Sequence, residues 1–300
     1  MKTAVMTASW INDFDRCALM CESLDRFLAG DWHHYLLVEP RDVAAFRRLE
    51  GPRRTVVSEA DLFPSWLRSF PDPLSLGRRR VWLSPFSVPL RGWHAQQIRR
   101  LALARHVDAD MLLSVDSDVV MVRPYDPACM WSDGKLRLFR VDSGVTGAMA
   151  DHHAWRAHAG RLLGLPEIVE PAHDYINTFI GWRMDTARAL LDHIEKTSGR
   201  DWVRALISSR AISECTIYGR FADEVRGGEG HLPSDEALCH VLWFRETYPE
   251  TLEGLESFLS DLRPHHVAIG VQSFVHHPLA DIRRLAFSVS PRDESRSGAV

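Results

Sequence analysis

Two carboxylates separated by one residue offer the clearest chemistry in this chain. Asp116 and Asp118, with Ser117 between them, directly follow the mostly apolar run Met111–Val115, which is typical of a buried strand. Because burying unpaired carboxylates is costly, we expect them at the carboxyl end of that strand, where open α/β sheets bind ligands. Close carboxylates repel each other unless a cation relieves them. The triplet therefore predicts a Mg²⁺ or Mn²⁺ site that also binds a diphosphate, with a solvated turn as the alternative.

A second group of polar residues precedes this strand. The pattern of residues 92–106 predicts a helix, with Ile98 among the residues that face the core. Gln96 and Arg100 are four residues apart and share another side of this helix, and Gln97 lies next to them. Since the helix leads into the strand before Asp116, its polar side can reach the same crevice. A solvated helix surface explains each residue equally well.

The elements that must position these residues indicate an α/β fold. Strands predicted at 2–9, 35–38 and 55–57 alternate with helices, which favours a parallel sheet with crossover helices. Asn177 and Thr178 precede the apolar end of the segment 173–182, which predicts a second strand end with polar groups. Further strands are predicted at 135–141 and 266–271, and further helices at 155–163, 186–195, 234–244, 251–262 and 281–287.

One segment and the tail do not follow this pattern. Residues 62–89 carry five prolines and are predicted to be irregular, either as a surface loop or as a flexible lid. Residues 289–300 are predicted to be a disordered tail. The sequence shows no repeat or linker, so we expect one domain over residues 1–288, with a mostly parallel central sheet flanked by helices.

Composition excludes several classes of protein. A net charge of −4 over 300 residues gives no basic field for nucleic acid, and the few lysines exclude the lysine of a phosphate-binding P-loop. Five cysteines without a Cys-x-x-Cys pair indicate reduced thiols and a cytoplasmic location. The N-terminus does not have the pattern of a signal peptide, and no apolar run is long enough to span a bilayer. Contact with a membrane, if any, would be peripheral.

Three segments together resemble the GT-A glycosyltransferases. They are the helix GWHAQQIRRLA leading into LLSVDSDVVMVRP, then YINTFIGW, and then SECTIYGRF, in this order after the β-α-β opening. The sequence is specifically similar to a bacterial family, long of unknown function, that is grouped with those enzymes. The resemblance extends from the first residues to about residue 285.

The resemblance implies a GT-A fold, a nucleotide-sugar donor and a divalent ion, with a UDP-sugar and Mn²⁺ or Mg²⁺ as the first choices. Asp118 would coordinate the metal directly, Asp116 would bind the metal nearer the ribose or sugar, and Ser117 lies between them. Gln97 and Arg100 match donor-contacting positions, where Arg replaces what is often Lys. The remaining positions implied to bind the donor are Asn177 near the sugar ring, and Thr7, Ala8, Ser9 and Trp10 at the nucleobase and ribose.

A third metal ligand often comes late in such chains. The candidates are His265, His266, Gln272 and His276, and we predict His276 as the third ligand.

The implied reaction also needs groups that handle charge and protons. The metal and Arg100 would stabilise the leaving diphosphate. The unidentified acceptor hydroxyl needs a base if attack is direct with inversion. Glu214 is our first candidate, because its apolar neighbours would raise its pKa towards neutrality. Asp235 is the second, although a predicted helix with Ser234 as its cap explains this residue equally well. If configuration is retained, the leaving phosphate can act as the base, and Glu214 would only position the acceptor.

Two alternatives stay open. A haloacid-dehalogenase-like phosphatase also places Asp-x-Asp after an apolar strand, but its motif usually lies on the first strand and needs a downstream lysine. Here the motif lies beyond residue 110. A non-catalytic relative that binds a nucleotide or sugar would keep the same fold, and the presence of Asp116, Asp118 and Glu214 argues against it.

Overall fold

The computed structural model describes residues 1–77, 79–167, 171–243, 249, 251–272 and 277–289. Its strands, numbered along the chain, are β1 (Thr3–Ala8), β2 (Trp32–Val38), β3 (Arg54–Ser58), β4 (Arg68–Pro71), β5 (Arg80–Ser84), β6 (Ser87–Arg91), β7 (Met111–Val115), β8 (Val119–Met121), β9 (Trp131–Ser132), β10 (Lys135–Phe139), β11 (Phe179–Arg183), β12 (His231–Ser234), β13 (Cys239–Leu242) and β14 (Ala268–Val271). Its α-helices are α1 (Phe14–Phe27), α2 (Val43–Phe46), α3 (Glu59–Leu62), α4 (Gly92–His106), α5 (Ala150–Leu163), α6 (Met184–Ser198), α7 (Trp202–Leu206), α8 (Glu214–Arg220), α9 (Leu252–Ser260) and α10 (Leu279–Ser288).

A five-stranded sheet forms the centre of the molecule, in the order β11-β7-β1-β2-β3. Strands β7, β1, β2 and β3 are parallel, and β11 runs antiparallel to β7 at one edge. Neighbouring residues of β1 belong to different cores, because side chains alternate between the two faces of a strand. Met6 packs into the core that contains α4 and α6, whereas Val5 packs into the one that contains α1. Helices therefore cover both faces, and the predicted single α/β domain with a parallel-rich sheet is confirmed.

The described residues also form three smaller sheets. Their orders are β13-β14-β8, β12-β10-β9 and β4-β5-β6. In the first, β8 begins directly after the Asp-x-Asp turn and pairs antiparallel with β14, so the late strand predicted at 266–271 packs beside the candidate site. No helix in the described part of the chain is long and apolar enough to cross a membrane.

The antiparallel sheet β4-β5-β6, which we call the outer sheet, corrects the prediction that residues 62–89 are irregular. The five prolines led to the prediction of an irregular segment, because proline is normally excluded from the interior of sheets. Pro71 and Pro89 lie in β4 and β6, the two edge strands, where a missing N–H group need not break the pairing. Trp82 and Leu90 are buried and attach the outer sheet to the main core.

The helix predicted at 234–244 is also wrong. Ser234 is the last residue of β12, and β13 begins at Cys239. The pairing of β13 with β14, parallel from Cys239 to Leu242, overrides the local capping pattern of Ser234. The helix predicted at 92–106 is confirmed as α4. Of the predicted tail, residues 290–300 lie outside the described residues.

Candidate functional site

Polar residues at the ends of the parallel strands meet along one edge of the central sheet. Since β11 is antiparallel to β7, its beginning lies at this same edge. Together with α4, the edge borders a cavity of about 990 Å³, a size at the upper end of the range for ligand pockets. The polar residues here are Ser9 after β1, Glu39 after β2, Glu59 after β3, Asp116 after β7, and Asn177 and Thr178 before β11.

Most of the residues predicted from the sequence line this cavity. They are Ala8, Ser9, Trp10, Gln97, Arg100, Asp116, Ser117, Asp118, Asn177 and Glu214.

Two predicted residues do not line the cavity, and a third lies outside the described residues. Thr7 is fully buried, and its hydroxyl donates to the carbonyl oxygen of Val115 at 2.7 Å, so it joins β1 to β7 instead of facing the cavity. Asp235 is exposed on the connection between β12 and β13 and is not part of the lining. His276 lies outside the described residues.

Of the other candidates for a third metal ligand, Gln272 lines the cavity. His265 and His266 make contacts elsewhere. His265 pairs with Glu236 at 3.2 Å, and Nδ1 of His266 accepts from the backbone N–H of Arg263.

Arg100 links the two acidic groups that the sequence singled out. One of its terminal nitrogens donates to Asp116 Oδ1 at 2.9 Å, and the other donates to Glu214 Oε1. Burial lowers the pKa of Arg100, but the attraction of Glu214 and Asp116 outweighs this and leaves it raised. Arg100 therefore stays protonated and carries a fixed positive charge at the end of β7.

Glu214 is the first residue of α8 and is 5% exposed. Its backbone N–H donates to Oε1 of Gln97 at 3.0 Å, so Gln97 holds the start of α8 against α4. Burial raises the pKa of Glu214, as expected from its surroundings, and the charge of Arg100 opposes this rise. The sequence placed Glu214 among apolar neighbours. It could not show that α4 places the charged side chain of Arg100 against Glu214 in the folded protein.

Asp116 and Asp118 have different environments although they are two residues apart. Burial raises the pKa of Asp116, and Arg100 opposes the rise. The pKa of Asp118 is raised to about 7, first by burial and then by repulsion from Asp116 and Asp13, while Arg16 lowers it. A cation placed next to Asp118 would remove this electrostatic cost.

A metal ion would fit this pair of carboxylates if a substrate supplied further ligands. Within the described residues, no group of three or more His, Cys, Asp or Glu side chains could hold a metal ion. Mg²⁺ and ions of similar chemistry are often held by one or two carboxylates together with substrate phosphates. Oδ1 of Asp116 already accepts from Arg100 and, at 3.4 Å, from Gln96, so Oδ2 and Asp118 are the oxygens suited to a cation.

Sequence reasoning missed a second charged group on the cavity side. Arg99, next to Arg100 on α4, forms a buried ion pair with Glu59 through Nε at 2.9 Å and Nη2 at 2.5 Å. Arg80 of the outer sheet donates to Glu39 at 2.8 Å. Glu39 and Glu59 directly follow β2 and β3, so the rule that selected Asp116, a carboxylate after an apolar strand, could have found both.

Aromatic side chains form another wall of the cavity, which the sequence analysis also missed. Trp93 lies one helical turn before Gln96 and Gln97 on α4 and is 46% exposed. Its ring lies 5.5 Å from that of Trp155 on α5, and the ring of His152 lies 4.7 Å from Trp155. Trp93 lies far along the chain from His152 and Trp155, and only folding brings α4 and α5 together, so no local pattern could have linked them.

Fold and cavity together define the class of protein: a single-domain α/β protein whose cavity lies at the carboxyl edge of a parallel-rich sheet, with an Asp-x-Asp turn in its lining. The chain belongs to a family of unknown function, DUF6492, which matches residues 3–286. No curated protein matches the chain.

Proposed function

We propose that this protein is a metal-dependent glycosyltransferase of the GT-A fold, which transfers a sugar from a nucleotide-sugar donor, with a UDP-sugar as the first choice, to an acceptor hydroxyl. One observation carries the proposal. Asp116 and Asp118 follow β7 of the central sheet and line a large cavity, and burial together with repulsion from Asp116 and Asp13 disfavours the negative charge of Asp118. A divalent ion would supply positive charge beside Asp118, and a diphosphate bound to that ion would use the available space.

The charged residues then have distinct roles. Asp118 and Oδ2 of Asp116 would hold Mn²⁺ or Mg²⁺, which, when bound, supplies positive charge for the leaving diphosphate. Arg100 adds a second positive charge, already oriented by Asp116 and Glu214, so no reorganisation is needed when the phosphate charge develops. Ser9 and Trp10, at the end of β1, lie on the side of the cavity where the nucleoside would bind.

The contacts of Glu214 support a positioning role. Its carboxylate pairs with Arg100, and a carboxylate held by a buried guanidinium is a weaker base than one in apolar surroundings alone. We therefore propose that Glu214 orients Arg100, whereas its action as the base stays a prediction. The aromatic wall of Trp93, Trp155 and His152 offers apolar surface for an acceptor. Within this wall, Trp93 lies one helical turn from Gln96 and Gln97 on α4.

Calorimetric titration with UDP, GDP and simple phosphate esters, each with Mn²⁺ and with a chelator, tests the proposal. We expect manganese-dependent binding of UDP that is lost in Asp118→Ala. Asp235→Ala is the matched control, because it removes an exposed carboxylate outside the cavity, and it should bind UDP normally.

Absence of nucleotide binding under both conditions would refute the proposal. Release of inorganic phosphate from a phosphate ester would favour the phosphatase alternative. UDP binding without turnover of any UDP-sugar would favour the non-catalytic relative.

A further inference from the structure

The outer sheet carries an unusual share of the exposed apolar side chains. Twelve large hydrophobic residues are exposed in the described part of the chain. Half of them come from residues 68–91, less than a tenth of the sequence. These six are Phe70, Leu74, Leu76, Leu83, Phe86 and Val88.

The turn between β4 and β5 holds two leucines in solvent. Leu74 is 90% exposed and Leu76 is 86% exposed. The turn is well hydrogen-bonded: the Asp72 side chain accepts from the N–H of Leu74 at 3.0 Å, and its carbonyl oxygen accepts from the N–H of Gly77 at 2.9 Å. Leu76 has a φ of 51°, in the left-handed region that leucine rarely adopts. The exposure of the two leucines is therefore a property of a defined turn.

The strands extend this apolar surface. Residues that pair directly across the outer sheet point to the same face, and neighbours along a strand alternate. Trp82 and Leu90 pair with each other and point inward, where both are buried. Phe70 and Leu83 therefore belong to the outward face, and they are 44% and 41% exposed. Phe86 differs, because its ring packs against Trp66.

The same segment is basic, although the whole chain is acidic. Residues 68–91 contain five arginines and one aspartate, whereas the chain has a net charge of −4. Arg68, Arg79 and Arg91 are exposed, while Arg80 is paired with Glu39. Exposed leucines beside exposed arginines match a surface that is apolar inside and negatively charged outside.

We propose that the outer sheet docks on an anionic lipid surface, with Leu74 and Leu76 inserted among the headgroups and the exposed Arg68, Arg79 and Arg91 at the lipid phosphates. A protein partner needs a broad complementary surface, which separate protruding side chains do not provide. A lipid surface is fluid and can close around each side chain, so it is the better match. Arg79 and Arg91 also line the cavity, so docking would place the cavity opening next to the lipid surface. The inference does not depend on the proposed transferase activity.

Cosedimentation of the full chain with vesicles tests this inference. We expect binding to phosphatidylcholine vesicles that contain phosphatidylglycerol, weaker binding to phosphatidylcholine alone, and a decrease with added salt. The double variant Leu74→Ser/Leu76→Ser should bind roughly 100-fold more weakly, about tenfold for each leucine removed. The matched control is Leu232→Ser/Leu252→Ser, which changes two leucines that are 37% and 38% exposed elsewhere on the surface and should bind like the wild type.

Three results would overturn the inference: no binding of the wild type to anionic vesicles, equal binding by the Leu74→Ser/Leu76→Ser variant, or equal weakening by the control. Light scattering of the free protein adds a further check. A dimer that the Leu74→Ser/Leu76→Ser variant converts to a monomer would assign this surface to a second copy of the chain instead. Because both serine substitutions are in an exposed turn, circular dichroism should show an unchanged fold. UDP binding is measured separately, so failure of either proposal leaves the other interpretable.

Discussion

The role of Glu214 can be decided by separating its effect on stability from its effect on ligand binding. Arg100 and Glu214 are 6% and 5% exposed and form an ion pair. Removing one partner of a buried ion pair typically costs about 3–5 kcal/mol, because the other charge stays buried. Glu214→Gln should cost less, about 2 kcal/mol, because Arg100 keeps Asp116 and the amide oxygen can still accept a hydrogen bond.

Urea unfolding of the wild type, Glu214→Gln, Arg100→Met and the double variant measures this coupling. We expect the double variant to be more stable than the sum of the single losses predicts, by about 1–3 kcal/mol, since the second substitution removes a charge that the first left unpaired. Additive losses would show that the two side chains do not interact, and would refute the reasoning.

Calorimetry with UDP and Mn²⁺ then distinguishes the two roles. If Glu214 positions Arg100, Glu214→Gln should weaken UDP binding, by about tenfold if the misplaced guanidinium costs about 1.4 kcal/mol of binding. If Glu214 is only a base, UDP binding should be unchanged while sugar transfer is lost. Glu224→Gln is the matched control, because it removes the charged partner of the fully buried Arg220 on the same helical segment, away from the cavity lining. It should lower stability without changing UDP binding.

Two further predictions concern the fold. His34 is fully buried, its Nδ1 accepts from Arg54, and its pKa is held well below the ordinary value of 6.5, first by burial and then by the charge of Arg54. Because His34 binds a proton below about pH 6.5 in the unfolded chain but stays neutral in the folded one, the free energy of unfolding should decrease as the pH is lowered below about 6.5. His34→Gln should reduce this slope in urea unfolding, and an unchanged slope would contradict the assignment. Gly219 lies directly against the ring of Tyr175, so Gly219→Ala should lower stability by about 3 kcal/mol in the same assay. Gly147→Ala, where a Cβ meets nothing within 4 Å, should be close to neutral, and equal losses for the two variants would refute this packing argument.

Local patterns sufficed where a feature depends on neighbouring residues in the chain. The apolar runs and the helical spacing of residues 92–106 predicted the central strands and α4. The position of Asp116 and Asp118 followed from the cost of burying charge, which permits carboxylates at a strand end but not within it. The failures at residues 62–89 and 234–244 share a cause. In both segments, strand pairing overrode a local signal: β13 pairs with the distant β14 despite the helix cap, and β4, β5 and β6 pair with one another despite the prolines.

Only the tertiary structure decided which groups act together. Arg100 and Glu214 are 114 residues apart, and Asp116 lies 16 residues from Arg100, so no local pattern could show that one guanidinium joins both carboxylates. The sequence by itself determined that acidic groups stand at the end of a buried strand, because the chemistry of burial is local. The structure determined that Arg100 pairs with Asp116, whereas burial and repulsion from Asp116 and Asp13 disfavour the charged form of Asp118, because charge pairing depends on distances that only the packing of α4, β7 and α8 sets.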